Sequence, residues 1–373
     1  MIISDIRTHL LSVPYEDPPK IGFIDIGNID LLIVEIETSS GLVGMGYLHP
    51  LMGGLQTIEM CIHEMLKPLL IGKKASEVES LWKAMWDHTF IQGRMGISVM
   101  AMSALDIALW DLVGKNNGQA LWELWGGSNT PLPVYGSGCY RGLGHDGMIE
   151  KAKRFVAAGY KAIKMQVAWG FTHDEDVINV RDMRQELGDE IKIMIDVNQG
   201  WDVDKSIAFG KAIEGFNIEW LEEPVMTDDF DGYHEVANSI STPLSTGENH
   251  FTHHDLMPFI KSGKVPTLQP DIMRGGYTEL KVIANLANKN NIKIAPHLFM
   301  ELSTHLNASI PNASWLEHMG WYNHLWVNPI TPKDGTATPP NIPGHGMQFK
   351  PELFKEFPYK KISLEKFERG TYI

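Results

Sequence analysis

At 373 residues the chain exceeds one ordinary domain but suits a barrel of about 250 residues with roughly a hundred more attached. With 43% hydrophobic and 21% charged residues and no long Ser, Gly or Pro tract, the composition excludes a disordered polymer. A net charge of −14 argues against nucleic acid or an anionic membrane as partner, since either needs a basic face; an anionic substrate would need local positive charge such as a bound metal.

The opening stretch, MIISDIRTHLLSVPYEDPP, carries Asp5 and Arg7 and no uninterrupted apolar core, so it does not read as a signal peptide. Leu32, Val34 and Ile36 alternate up to a turn at Ser39-Ser40-Gly41, after which Leu42, Val43 and Met45 predict the second arm of an antiparallel hairpin. Helical patterns follow around Leu55–Leu69, Ala75–Thr89 and Ile97–Gly114. The most apolar run, Ile97 to Val113, is interrupted by Asp106 and Asp111; charges at a membrane midplane are costly, so a buried helix is expected. Cys61 and Cys139 lack a Cys-x-x-Cys spacing, which supports neither a disulfide framework nor a thiolate metal site and fits a reducing cytoplasm.

From about Leu132 short apolar strand signals alternate with helical stretches, the rhythm of a parallel sheet covered by helices. Eight strands are predicted, at 133–136, 162–167, 193–196, 218–222, 244–246, 267–268, 292–295 and 315–316. Eight such units close naturally into a (β/α)₈ barrel, although periodicity alone is compatible with an open doubly wound sheet. The expected division is an α+β capping domain over 1–128, the barrel over 129–327, and a Pro- and Gly-rich segment over 328–373 returning to the cap.

Asp196, Glu222 and Glu248 each stand just after a predicted strand, at intervals of 26 residues, which is one βα unit. Three carboxylates would then converge at the barrel mouth, where active sites lie. Any one alone is more simply a surface acid. Together they repel unless a hard divalent cation neutralises them; Mg²⁺ is the natural choice, with Mn²⁺ as a replacement. Neighbouring strand residues face opposite ways, so of Glu222 and Glu223 the first is assigned inward.

The next two units add Asp271 and His297, again about one βα step apart. A carboxylate beside an imidazole fixes its tautomer and raises its basicity, as a general base requires. Lys164 and Gln166 stand two apart on the second strand and share the inner face. Lys164 can offer positive charge to a substrate carboxylate, whereas Gln166 can only hydrogen-bond. Asn198 and Glu317 are further inward candidates, each equally readable as a structural hydrogen-bonding residue. Tyr140, Arg141 and Trp169 near strand ends, and the loops Pro14–Asn28, Leu48–Gly54 and Phe90–Gly96, are where specificity is expected.

The stretch AMSALDIALWDLVGKNNGQALWELWGG, followed by IDVN, EEP, GEN, PD, HLF and WLE in that order, resembles the mandelate racemase subgroup of the enolase superfamily over nearly the whole chain. The resemblance implies that Asp196, Glu222 and Glu248 bind Mg²⁺, that Asp271 and His297 form an acid/base dyad, and that Glu317 hydrogen-bonds an enediolate intermediate. It also implies a mobile covering loop over Pro14–Asn28 and a symmetric homo-oligomer. Many members carry Lys-x-Lys on the second strand; here the second position is Gln166, which cannot take a proton at neutral pH. Inversion needs an acid/base group on each face, so a racemase or epimerase loses support. Dehydration of an aldonate or aldarate to its 2-keto-3-deoxy product needs one base. The expected function is therefore an acid-sugar dehydratase with Gln166, Asn198, Tyr140 and Trp169 contacting substrate. A cycloisomerase or epimerase, and a barrel that only binds a metabolite, are the alternatives.

Overall fold

The computed structural model describes residues 1–22 and 26–361. Three strands, β1 (Ile3–Pro14), β2 (Asn28–Thr38) and β3 (Val43–Leu48), form an antiparallel sheet in that order. The predicted hairpin is β2–β3. Its third partner, β1, is hidden in the sequence because charged Asp5 and Arg7 interrupt the apolar pattern and the register slips between Ile3 and Asp5. The structure supplies the reason for the charge: Arg7 Nη1 pairs with Glu37 Oε2 across the sheet at 2.5 Å.

Behind this sheet lies the helix Ile97–Asn117, which is long and apolar enough to cross a membrane but has 89% of its most apolar window buried inside the fold. Its close approach requires glycine on β3, because a Cβ on Gly46 would sit 2.1 Å from the Ala104 carbonyl oxygen and one on Gly44 2.3 Å from that of Ala108. The opposite side of the helix meets the barrel. Asp106 accepts hydrogen bonds from the Thr278 N–H at 2.9 Å and the Thr278 hydroxyl at 2.5 Å, and Ser103 Oγ donates to the Ile272 carbonyl at 2.9 Å. The two aspartates that interrupt the apolar run are thus both buried, and Asp111 accepts from the N–H groups of Met45 and His345 at 2.8 and 3.1 Å.

Eight parallel strands follow: β4 (Leu132–Cys139), β5 (Ala162–Gln166), β6 (Lys192–Asp196), β7 (Ile218–Glu222), β8 (Leu244–Thr246), β9 (Thr267–Leu268), β10 (Lys293–Ile294) and β11 (Leu316–His318). Successive strands pair in parallel from β4 to β10, and β11 returns to pair with β4. The ring closes where Ile294 bridges Ala313 in the run into β11, through bonds of 2.9 Å to Asn312 and 2.8 Å from Ser314. The predicted barrel is therefore the observed one. Its interior is packed by Tyr135, Ala162, Met194, Trp220 and Ala295, so it is a solid core and not a pore.

The chain then places β12 (Thr336–Ala337) antiparallel to β4 and runs on to the first sheet, where the Tyr359 N–H donates to the Leu10 carbonyl. Residues 362–373, the last part of the expected returning segment, lie outside the described residues.

Candidate active site

The mouth is built by a recurring backbone device. Immediately after the strands, non-glycine residues adopt left-handed conformations: Ala168 and Trp169 after β5, Asn198 and Gln199 after β6, Glu223 after β7, and Leu298 and Phe299 after β10, with φ between 41° and 63°. Each such residue costs about 1–2 kcal/mol relative to ordinary backbone. The sharp curl breaks the in-out alternation of the strand. That explains a departure from the expected geometry: Glu222 and Glu223 are both buried, not one inward and one outward.

Asp196, Glu222 and Glu248 come together, each offering an oxygen within 4.8 Å of the others. Burial pushes the carboxyls of Asp196 and Glu222 up to about 6 and about 8; in both the Glu248 charge adds to the rise and the Lys164 ammonium opposes it. Three oxygen donors this close, in a site where ionisation is penalised by burial and mutual repulsion, have the chemistry that suits a hard divalent cation. Glu223 stands beside the three without joining them, its carboxylate accepting from Asn249 Nδ2 at 3.0 Å and Gln199 Nε2 at 3.2 Å.

His297 Nδ1 meets Asp271 Oδ2 at 2.8 Å, and its Nε2 lies 3.4 Å from Glu248 Oε2. Asp271 is itself fixed, because its other oxygen caps the helix Ile272–Lys289 by accepting the Met273 N–H at 2.7 Å. Burial disfavours the imidazolium, but Glu248, Asp271 and Glu317 outweigh that penalty and raise His297 to about 10.

Lys164 is inward, as its parity required, and its Nζ lies 2.8 Å from Glu222 Oε1, 3.0 Å from Glu317 Oε1 and 3.9 Å from Asp196 Oδ2. Burial works against its charge, yet Glu222 and Glu317 hold its pKa well above the ordinary lysine value. Its ammonium is thus held between carboxylates in this arrangement. Burial would raise Glu317, but Lys164 and His297 pull it down to about 2, and its second oxygen accepts the Leu298 N–H at 2.8 Å. In this arrangement Glu317 accepts hydrogen bonds; donating one to an intermediate, the role the resemblance implies, would require it to gain a proton.

Gln166 is buried with its Nε2 on Asn198 Oδ1 at 3.2 Å and its Oε1 without a protein partner. Asn198 is drawn into the protein more than expected: its Oδ1 also accepts from Arg141 and its amide nitrogen donates to Asp196 at 2.8 Å. Tyr140 is buried, with its hydroxyl accepting from Trp321 Nε1 at 2.7 Å. Trp169 is 49% exposed at the rim and donates to the Asn198 carbonyl at 3.0 Å. Of the loop Pro14–Asn28, residues 23–25 lie outside the described residues; the Lys20 carbonyl accepts from the Gly142 N–H at 3.0 Å, and Tyr15 packs edge-on to Trp321. Sequence reasoning missed Gln199, Asn249 and Arg274, which touch the acids or their neighbours. The only signal for Asn249 and Arg274 was membership of the GEN and PDIMRGG segments.

Comparison with known proteins places the chain in a family. Residues 5–126 match the mandelate racemase/muconate lactonizing enzyme N-terminal domain, and residues 147–353 match the enolase C-terminal domain-like family. The chain is 33% identical to the 3,6-anhydro-alpha-L-galactonate cycloisomerase of Streptomyces coelicolor, over 93% of this chain and 96% of that one. It is 32% identical to the L-talarate/galactarate dehydratase of Salmonella typhimurium, over 82% and 77%. The structure of L-talarate dehydratase from Polaromonas sp. JS666, complexed with Mg and L-glucarate, superposes with a TM-score of 0.88 at 30% identity, covering 96% of this chain and 98% of that one. A closed parallel barrel, an antiparallel capping sheet and these matches over most of the length lead to one conclusion: the chain belongs to the mandelate racemase/muconate lactonizing enzyme family of the enolase superfamily.

Proposed function

We propose that this protein is a Mg²⁺-dependent acid-sugar dehydratase that converts an aldonate or aldarate to its 2-keto-3-deoxy product. Asp196, Glu222 and Glu248 would hold the ion. Bound there, Mg²⁺ would supply Lewis-acid stabilisation for charge developing on the substrate carboxylate. This use of a His base with Mg²⁺ in the enolase superfamily is also a general example of how pKa tuning serves catalysis.

The chain's own residues divide the remaining work. Asp271 holds His297 Nδ1; with a bound cation taking up the Glu248 charge that otherwise keeps the imidazole protonated, Nε2 would be left to take the proton α to the carboxylate. The imidazolium can return that proton to a 3-hydroxyl on the same face, so the Cα–H and C3–O bonds break, water leaves, and the enol product tautomerises to the ketone. Lys164, held protonated, provides fixed positive charge near the carboxylate. Gln166 offers its unpartnered carbonyl to a substrate hydroxyl. The observation that carries the reading is this asymmetry: an Asp-held imidazole at the mouth, with an amide at the second position of the β5 pair and a lysine already committed as a cation.

The similarity to a cycloisomerase favours a second reading. Opening an anhydro ring at a C3–O bond is the same elimination with a tethered leaving group, so the same base would serve. A screen of aldonates, aldarates and anhydro-sugar acids with Mg²⁺ separates the two, because dehydration lowers the product mass by one water and cycloisomerisation leaves it unchanged. His297→Asn is expected to lower turnover by at least about 10³-fold and to abolish α-proton exchange in D₂O, while Mg²⁺ binding persists. Retained exchange in that variant would overturn the assignment of His297 as base, and racemisation by the unaltered protein would overturn the argument from Gln166.

A further inference from the structure

Two asparagines follow the outer carboxylates closely, Asn198 two residues after Asp196 and Asn249 directly after Glu248. An asparagine amide has a donor end and an acceptor end: an ionised acid, which only accepts, takes the NH₂ end, and a donor on the far side can hold the oxygen in place. At both places that donor is an arginine from another βα unit, joined at Asn198 by Gln166 Nε2 at 3.2 Å. Arg274 Nη2 donates to Asn249 Oδ1 at 3.2 Å, while its Nε donates to the Glu248 carbonyl at 2.9 Å. Arg141 Nη2 donates to Asn198 Oδ1 at 2.9 Å.

A guanidinium carries donors only, so the amide oxygen must face it and the NH₂ group is turned toward the acids. Asn249 Nδ2 accordingly lies 3.0 and 3.1 Å from the two Glu223 oxygens and 3.5 Å from Glu248 Oε1. Asn198 Nδ2 lies 2.8 Å from Asp196 Oδ2. Each arginine is itself confined: Arg141 is buried, and the Arg274 guanidinium lies 4.8 Å from the centre of the Phe251 ring.

We propose that Arg141 and Arg274 are positioning residues for the metal site, each acting through the amide of one asparagine. With the arginine removed, the amide oxygen loses its charged donor and the NH₂ group is no longer held at its present angle to the acid. The carboxylate then loses a donor and its fixed direction, and its grip on a cation weakens. The proposal rests on the reading of Asp196, Glu222 and Glu248 as a Mg²⁺ site.

The test is a double-mutant cycle on the full chain with Mg²⁺ alone as the probe, read by titration calorimetry and checked for folding by circular dichroism. Arg274→Met is expected to weaken Mg²⁺ binding about 10-fold, the lower end of the usual effect of outer-sphere groups on metal affinity. In an Asn249→Ala background the same change is expected to cost no more than about 3-fold, because no amide remains to orient and only the bond to the Glu248 carbonyl is lost. Arg141→Met with Asn198→Ala forms a second, independent cycle should Arg274→Met fail to fold. Additive losses in the cycles, or unchanged Mg²⁺ affinity in both arginine variants, would overturn the positioning role while leaving the metal site standing. Unaltered protein that binds no Mg²⁺ would overturn the metal reading and this proposal with it.

Discussion

Two sets of buried carboxylates in the molecule are accommodated in different ways. On the helix Ile97–Asn117, each acid faces donors: Asp106 takes two from Thr278, and Asp111 takes the N–H groups of Met45 and His345 and the Lys115 ammonium at 2.6 Å. At the barrel mouth, three acids face one another within 4.8 Å, with one lysine among them. Burial penalises both sets, and both take donors from the chain, Asp196 from Asn198 and Glu222 from Lys164 and Trp220, but at the mouth like charges also stand against one another. The lesson is that burial alone does not mark a reactive acid; what marks it is crowding by other acids, which a charge from outside can relieve.

The strongest way to break this contrast is to remove one acid from each place. Glu248→Gln is expected to weaken Mg²⁺ binding at least about 100-fold, beyond the range of outer-sphere changes, with turnover falling accordingly. The metal-free variant should melt no lower than the unaltered protein, since Glu248 repels Asp196, Glu222 and Glu223 while its contacts to His297 and Asn249 are long, at 3.4 and 3.5 Å. A clear fall in melting temperature without metal would show that the mouth acids hold the fold together, against the contrast. Asp111→Asn should do the reverse. Its NH₂ group would confront a backbone N–H of Met45 or His345, at a cost of about 1–3 kcal/mol in denaturant unfolding, with Mg²⁺ affinity unchanged.

The smallest effect sharpens the picture through pH. Folding raises Asp196 from 3.8 to about 6, Asp106 from 3.8 to about 7 and Glu222 from 4.5 to about 8, burial being the leading cause in each. A carboxyl raised in this way stabilises the fold fully below its unfolded value, and that contribution is lost as pH rises through the folded value. Metal-free protein should therefore lose stability progressively between about pH 4 and pH 8. Saturating Mg²⁺ should flatten the share that belongs to Asp196 and Glu222 and leave the share from Asp106. Melting curves across this range that are level without metal would contradict the assignment.

Much of this was legible before any coordinates. The strand-end spacing of Asp196, Glu222 and Glu248 translates directly into convergence because every βα unit returns the chain to the same end of the barrel. The parity of Lys164 and Gln166 was equally safe, since a strand alternates strictly while it remains a strand. Legibility stops where the strand does. Glu223 could not be read as buried, because alternation gives no hint that a glutamate will take a left-handed backbone with φ of 41°. Nor could the commitment of Lys164 to Glu222 and Glu317 be seen, because it depends on which of several inward groups are nearest across the barrel. Asn249 and Arg274 are 25 residues apart and meet only through the curl of two neighbouring strand ends. Sequence spacing reports which residues arrive at the mouth; the partners each finds there are set by three-dimensional packing.

The helix Ile97–Asn117 has a bearing on how such a protein can change over generations. One side of it fits against Gly44 and Gly46 of the cap, and the other grips Ile272 and Thr278, next to the residue that steadies the imidazole. A recombination event that exchanged the cap while leaving this helix behind, or the reverse, would disturb the fit beside the Asp271–His297 pair. Cap and barrel are therefore expected to travel through descent as one inherited unit, with novelty confined to the loops that no such splice would interrupt.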